Sequence, residues 1–147
     1  MLIGIDPNVT PELLYCLAKM GHGDEIVIAD ANYPSVTTAD SCVIPEVMHY
    51  PGNAVDEVVR VVASLMPLDG FHDYAALRME VDGAPDEMNE AHQAVWELLT
   101  PRLPEGAVLS SIERQDFYAK AGRAFAVVQC ADLRAYSCFI LRKGVIF

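Results

Sequence analysis

The 147-residue chain carries 10 basic and 21 acidic side chains, a formal charge of −11 and an isoelectric point near 4.6, which argues against nucleic acid or an anionic membrane surface as a partner. With 52% hydrophobic residues and a mean hydropathy of +0.22 it has ample material for a core. No uninterrupted apolar run approaches the ~18 residues of a membrane span, and no basic leader precedes an apolar segment. These features predict a soluble, cytoplasmic single domain over residues 1–147 that is open to neutral ligands.

Asp6-Pro7-Asn8 is a turn signal, and Thr10-Pro11-Glu12 reads as an N-cap, a first-turn proline and a first-turn acid, so a helix starts at Thr10 or Pro11. Leu13, Leu14, Leu17, Ala18 and Met20 give it an apolar stripe, and Gly21 supplies the stop. Ile26 to Ala29 is a buried strand candidate. The segment Ala31 to Thr38 loses periodicity and reads as a loop over the strand ends. Val43-Ile44 and Val47-Met48 are short strand candidates broken by Pro45.

Asn53 is the predicted N-cap of a helix through Met66 whose polar stripe is narrow, so it is covered on more than one side, by a subunit interface or as an ordinary internal helix. Ala75 to Val81 reads as a strand ending at Asp82-Gly83, and Pro85 opens an amphipathic helix that ends before Pro101. A strand over 107–112, a helix over 114–123 and two strands, 125–130 and 137–141, complete the pattern. Alternating helix and strand signals predict a three-layer α/β/α domain around a central mixed sheet.

Cys16, Cys42, Cys130 and Cys138 lack C-x-x-C spacing and at least three lie among apolar residues, which argues against disulfides and a zinc site. No glycine-rich phosphate loop and no nucleophile elbow is present. The strongest candidate for chemistry is His22, held between two glycines in Met20-Gly21-His22-Gly23-Asp24-Glu25. Glycine on both sides leaves the ring unscreened, and imidazole works as acid or base near neutrality. The same tetrapeptide also serves as a plain helix stop with an exposed polar residue. Asp30 ends the strand that follows, at the edge where open α/β sheets bind ligands, although it would also cap a turn. Arg114, Asp116 and Tyr118 share a helix start, and Tyr136 precedes the last strand. His49, His72 and His92 read as structural or solvated, His92 on the polar side of its helix, and none has a second ligand at metal spacing.

In order along the chain, Pro11-Glu12-Leu13-Leu14, Met20-Gly21-His22-Gly23-Asp24-Glu25-Ile26, Asp30-Ala31, Arg114 with Phe117-Tyr118, Tyr136 and Leu141-Arg142-Lys143-Gly144-Val145 resemble the L-fucose mutarotase and D-ribose pyranase family. The resemblance implies an enzyme that interconverts cyclic forms of a free monosaccharide without cofactor or metal, assembled as a ring-like homo-oligomer, often a decamer. It matches His22 to the proton donor and Asp30 and Arg114 to sugar-binding positions. Tyr136 heads a tripeptide that in the family ends in asparagine, whereas here it reads Tyr136-Ser137-Cys138. Arg114 with Tyr118 resembles the fucose branch, since the pyranase branch tends to carry histidine and lysine there.

Opening a hemiacetal needs one proton removed from the anomeric hydroxyl and one delivered to the ring oxygen. His22 can supply the acid; Asp30, Tyr118 or a bound water can take the other proton, and Arg114 can hold sugar hydroxyls or developing charge. If residues 24–29 form a straight strand at ~3.3 Å per residue, the Cα atoms of His22 and Asp30 lie up to roughly 26 Å apart. Either the His22 loop doubles back, or the site joins Asp30 of one subunit to His22 of a neighbour, which a ring assembly provides.

Overall fold

A computed structural model describes all residues 1–147. Helices α1 (Pro11–Lys19), α2 (Ser35–Ala39), α3 (Val55–Ala63), α4 (Glu90–Leu99) and α5 (Arg114–Ala121) alternate with strands β1 (Glu25–Ala29), β2 (Met48–Tyr50), β3 (Ala76–Met79), β4 (Leu109–Ile112), β5 (Ala126–Cys130) and β6 (Phe139–Arg142). The strands form one sheet in the order β2-β5-β1-β6-β3-β4. β1, β2 and β5 run parallel, as do β3 and β4, and β6 is antiparallel to both of its neighbours β1 and β3. Five strands therefore point one way, and only β6 returns. No helix is long and apolar enough to cross a membrane.

Strand alternation divides the core into two layers, as the period of two requires. Ile26, Ile28, Val128, Phe139 and Leu141 face α1, α3 and α4, while Val27, Ala29, Leu77, Val127 and Ile140 face Phe117 and Ala121 of α5 and Ala39 of α2. The three-layer α/β/α expectation is met. In α3 the valines 55, 58, 59, 61 and 62 are all buried within the chain itself, so an internal helix accounts for its apolar circumference.

Local signals succeeded where chemistry is short-range. The Thr10 hydroxyl accepts the Leu13 N–H at 3.2 Å, capping α1 as predicted. Four details differ. The cap of α3 is Ala54 rather than Asn53, because Glu57 reaches back to the Ala54 N–H at 2.8 Å and Asp132 accepts the Val55 N–H at 3.0 Å. α4 begins at Glu90, not Pro85, since the Asn89 side chain caps His92 N–H at 2.9 Å. The loop over 31–38 contains the short α2. Val43 and Ile44 lie outside any strand, their N–H groups being taken instead by the carbonyls of Ala124 and Phe125.

The end of β6 fastens the neighbouring loops. Lys143 Nζ donates to the last carbonyls of α1, Leu17 O at 2.8 Å and Met20 O at 2.5 Å, supplying the cation that a helix C-terminus favours. Its backbone exchanges hydrogen bonds with Gly23 and Asp24, both at 2.9 Å. Gly144 then passes so close to Leu68 that a Cβ would lie 2.3 Å from the Leu68 carbonyl oxygen, while its N–H donates to Pro67 O at 2.8 Å. The loop after Met66 is seated on that glycine. Beside it, Arg142 bonds Glu25 and Asp73, and Tyr74 donates its hydroxyl to Glu25.

Gly144→Ala must displace main chain, not a flexible side chain, and the expected cost is about 2–4 kcal/mol of unfolding free energy. Urea titration of the variant against the parent checks this; a change below about 0.5 kcal/mol contradicts the close approach.

Candidate functional site

The sheet has two ends, and the predicted residues divide between them. At the carboxyl end of the five parallel strands lie Asp30 after β1, Arg114 after β4 and the 136–138 segment before β6. Asp30 is nearly buried; its Oδ1 accepts the Asn32 N–H at 2.9 Å and its Oδ2 accepts the Cys138 thiol at 3.4 Å. Burial, reinforced by the Asp30 charge, pushes the Cys138 thiol well above its ordinary range, so it stays protonated. The Gln129 carboxamide fixes the turn after Asp30 by sharing its donors among the carbonyls of Asp30, Ala31 and Tyr33 at 3.2–3.3 Å.

Tyr136 has a φ of +59°, a left-handed conformation rare outside glycine. It is held there by α4: His92 Nε2 donates to Tyr136 O at 2.9 Å, and Asn89 Nδ2 donates to Ala135 O at 2.7 Å. His92 is thus not on a polar face. It is fully buried, its Nδ1 accepts the Asn89 N–H at 3.2 Å, and burial lowers its pKa, so the ring is a neutral spacer between α4 and the Tyr136 turn. The Ser137 hydroxyl is buried with no hydrogen-bond partner.

Tyr136 lines a cleft of about 490 Å³ that includes Val81, Met88 and Arg134. Arg114 lines a hollow of about 340 Å³ that shares Val81 with it. The Arg114 Nε donates to both oxygens of Asp82 at 2.9 and 3.1 Å, and its guanidinium stands 5.9 Å from the centre of the Tyr118 ring, which stacks against Tyr33 at 5.4 Å. The largest cavity, about 530 Å³ between the start of α1 and residues 44–49, holds none of the predicted residues.

His22 lies at the other end of the sheet. The five residues of β1 alone span about 13 Å at ~3.3 Å per residue, and the His22 loop and Asp30 leave from its two ends. Gly21 N–H bonds the Asp24 carboxylate at 2.7 Å and Gly23 adopts a φ of +87°, which makes the sharp turn that presents the ring. His22 is half-exposed, packs edge-on to Phe71 at 5.6 Å, and points Nε2 at Asp69 Oδ1, 2.9 Å away. On the other oxygen, His72 Nδ1 sits 2.5 Å from Oδ2.

Asp69 is completely buried and also accepts the N–H groups of Phe71 and His72 at 3.1 and 3.0 Å. Burial opposes its charge, but hydrogen bonds from His22 and His72 and from those two amides outweigh it and hold the carboxyl far below its ordinary value. Asp69 and His72 were missed from the sequence, and His72 is not merely solvated. Their link to His22 crosses 47 residues, so no local spacing carries it.

The unfolded chain protonates Asp69 near its ordinary pKa of ~3.9 while the folded chain keeps it ionised. Its contribution is therefore complete above about pH 4 and is lost as pH falls below that value. Asp69→Asn should be less stable near neutrality and should lose less of its remaining stability between about pH 4 and pH 2, read from urea midpoints across that range.

Comparison with known proteins adds ancestry to this geometry. Residues 3–146 match the RbsD / FucU transport protein family. The chain is similar to the fucose mutarotase of Homo sapiens, 38% identical over 149 residues and covering 99% of this chain and 94% of that one. Among solved structures it is similar to protein Atu2016, with a TM-score of 0.94 and 36% identity over 100% of this chain and 97% of that one. It is also similar to the fucose mutarotase of Streptococcus pneumoniae in complex with L-fucose, with a TM-score of 0.87 and 32% identity over 99% and 100% of the two chains. Matched from end to end in both sequence and fold, the chain belongs to the RbsD/FucU family of sugar mutarotases.

Proposed function

We propose that the protein is a fucose-type mutarotase that interconverts the anomers of a free monosaccharide, L-fucose being the leading substrate, with His22 as general acid. The observation that carries this reading is the pairing of His22 with buried Asp69. A carboxylate only accepts, so Nε2–H is committed to Asp69 and Nδ1 is the nitrogen left to exchange a proton with the ring oxygen. The half-exposed ring is fixed in angle by that bond and by Phe71.

At the carboxyl end, Asp30, Arg114 and Tyr136 are the sugar-binding groups, with Ser137 and Cys138 completing that wall. Arg114 orients hydroxyls, and Tyr118, stacked beside it, is the group proposed to take the anomeric proton, with Asp30 or water as the alternatives. The protonated Cys138 thiol stands where the family resemblance puts a carboxamide, next to the buried, unpartnered Ser137 hydroxyl, so hydroxyl recognition falls more heavily on Asp30 and Tyr136.

Because His22 and Asp30 leave opposite ends of β1, one monosaccharide reaches both only across a subunit boundary. The working assembly in this reading is a ring-like homo-oligomer of the decamer type that the family resemblance implies, whose sites join His22 of one subunit to Asp30 of the next. A non-catalytic sugar-binding role is the second reading, favoured by the Asp30–Cys138 contact, which already occupies one carboxylate oxygen.

Saturation transfer between the α and β anomeric protons of L-fucose is the direct test. Exchange should appear with the protein and fall by about 10²-fold or more in His22→Ala. A faster response with D-ribose moves the assignment to pyranase chemistry; binding without exchange supports the sugar-binding role. Mixing inactive His22→Ala and Asp30→Asn chains during refolding should restore exchange, because hybrid boundaries rebuild intact sites. No recovery in correctly assembled hybrids rejects the shared site.

A further inference from the structure

The proton-transfer reading uses His22 and Asp69 but gives no role to His72, which meets the same carboxylate from its other side. His22 Nε2, His72 Nδ1 and the Asp69 carboxylate present three ligand atoms within 4.8 Å of one another. Two imidazoles and one carboxylate are a donor set that suits zinc and its neighbours rather than magnesium or calcium, which take all-oxygen shells. We propose that His22, Asp69 and His72 form a capture site for a zinc-class divalent cation, and that occupancy shuts down the acid function of His22. The second half rests on the reading of His22 given above.

Geometry favours the ion at small cost. Tetrahedral ligands at about 2.1 Å from zinc lie about 3.4 Å from each other. His22 Nε2 lies 2.9 Å from Asp69 Oδ1 and His72 Nδ1 2.5 Å from Asp69 Oδ2, and no two of the ligand atoms are more than 4.8 Å apart, so each pair reaches that spacing by opening up to about 1 Å or closing up to about 1.4 Å. The supporting shell is already built. Asp69 is aimed by the Phe71 and His72 amides, its loop is seated on Gly144, and the His72 ring lies over Gly23, whose Cβ position is 3.5 Å from Cε1. Both imidazoles are about half-exposed, 38% for His22 and 47% for His72, so the cation enters from solvent and keeps an open fourth position for water.

The proton balance is simple. In the metal-free protein the two ring nitrogens facing Asp69 carry the hydrogens that the carboxylate accepts. Metal takes their lone pairs instead, so each neutral ring moves its proton to the far nitrogen, and each protonated ring releases one. His22 is then locked as the Nδ1–H tautomer on a cation. Such a ring yields that proton far less readily than an imidazolium does, because its loss would leave an imidazolate on the metal.

The test uses the assembled full-length protein and the ions themselves. Cobalt(II) is titrated in and followed by its visible absorption, zinc(II) then displaces it, and L-fucose exchange is measured on the same samples with excess magnesium present. The expected result is one cobalt per chain with a tetrahedral-type spectrum, displacement by zinc but not magnesium, and loss of exchange in step with occupancy. His72→Phe, at a half-exposed position, should fold and should bind cobalt about 100-fold or more weaker. Its exchange should resist zinc relative to its own metal-free rate. Equal cobalt affinity in the variant, or zinc that fills the site without slowing exchange, overturns the proposal. If cobalt binds as expected while the metal-free protein exchanges no sugar, the site stands and the mutarotase reading falls.

Discussion

Strand β6 is the constraint on which the rest depends. It is the only strand that runs against the others, and it pairs with β1 on one side and β3 on the other. Without it the sheet would separate into β2-β5-β1 and β3-β4, each with an open edge of unpaired backbone groups. Its four residues are also the common boundary of the two apolar layers, Phe139 and Leu141 facing one and Ile140 the other.

The same strand sets the chemistry at both ends of the sheet. Upstream it delivers Tyr136, Ser137 and Cys138 to the edge where Asp30 waits; downstream it delivers Arg142, Lys143 and Gly144. Lys143 ties off α1 and clamps the His22 turn, and Gly144 seats the loop that carries Asp69. An antiparallel strand among parallel ones is thus what places polar segments of one short stretch at opposite edges. The proposed sharing of a sugar site between subunits rests on that division more than on any single side chain.

Asp69 shows how a buried charge is retained. Burial of a lone carboxylate is costly, and here four N–H donors, two from imidazoles and two from the backbone, offset it. The arrangement suits proton transfer, because it fixes one nitrogen of His22 and leaves the other at solvent. It also leaves His22 and His72 within reach of one cation, so the groups that orient the acid are those a metal would recruit. His92 is the counter-example, a histidine used only as a neutral strut beneath the Tyr136 turn.

Much of this was legible in the order of residues. The Thr10-Pro11-Glu12 cap, the apolar alternation of Ile26 to Ala29 and the glycines around His22 each act within a few residues, so they announce α1, β1 and the presented ring directly. The three-layer class followed from the alternation of such signals. Two misses were local, Glu57 reaching back to Ala54 and Asn89 capping His92, where neighbouring residues compete as caps; that Asp132 holds the Val55 N–H and that His92 turns inward to Tyr136 is concealed by distance along the chain. The sequence also missed that Asp69 and His72 meet His22. Those contacts join segments 47 or more residues apart, and hydrogen bonding at that range is decided by the close approach of β1, β6 and the loop before β3. Composition, periodicity and turn chemistry determined the elements and the candidate acid; only the packed sheet decided which carboxylate holds that acid, and that the residues proposed to bind sugar lie at the far end from it.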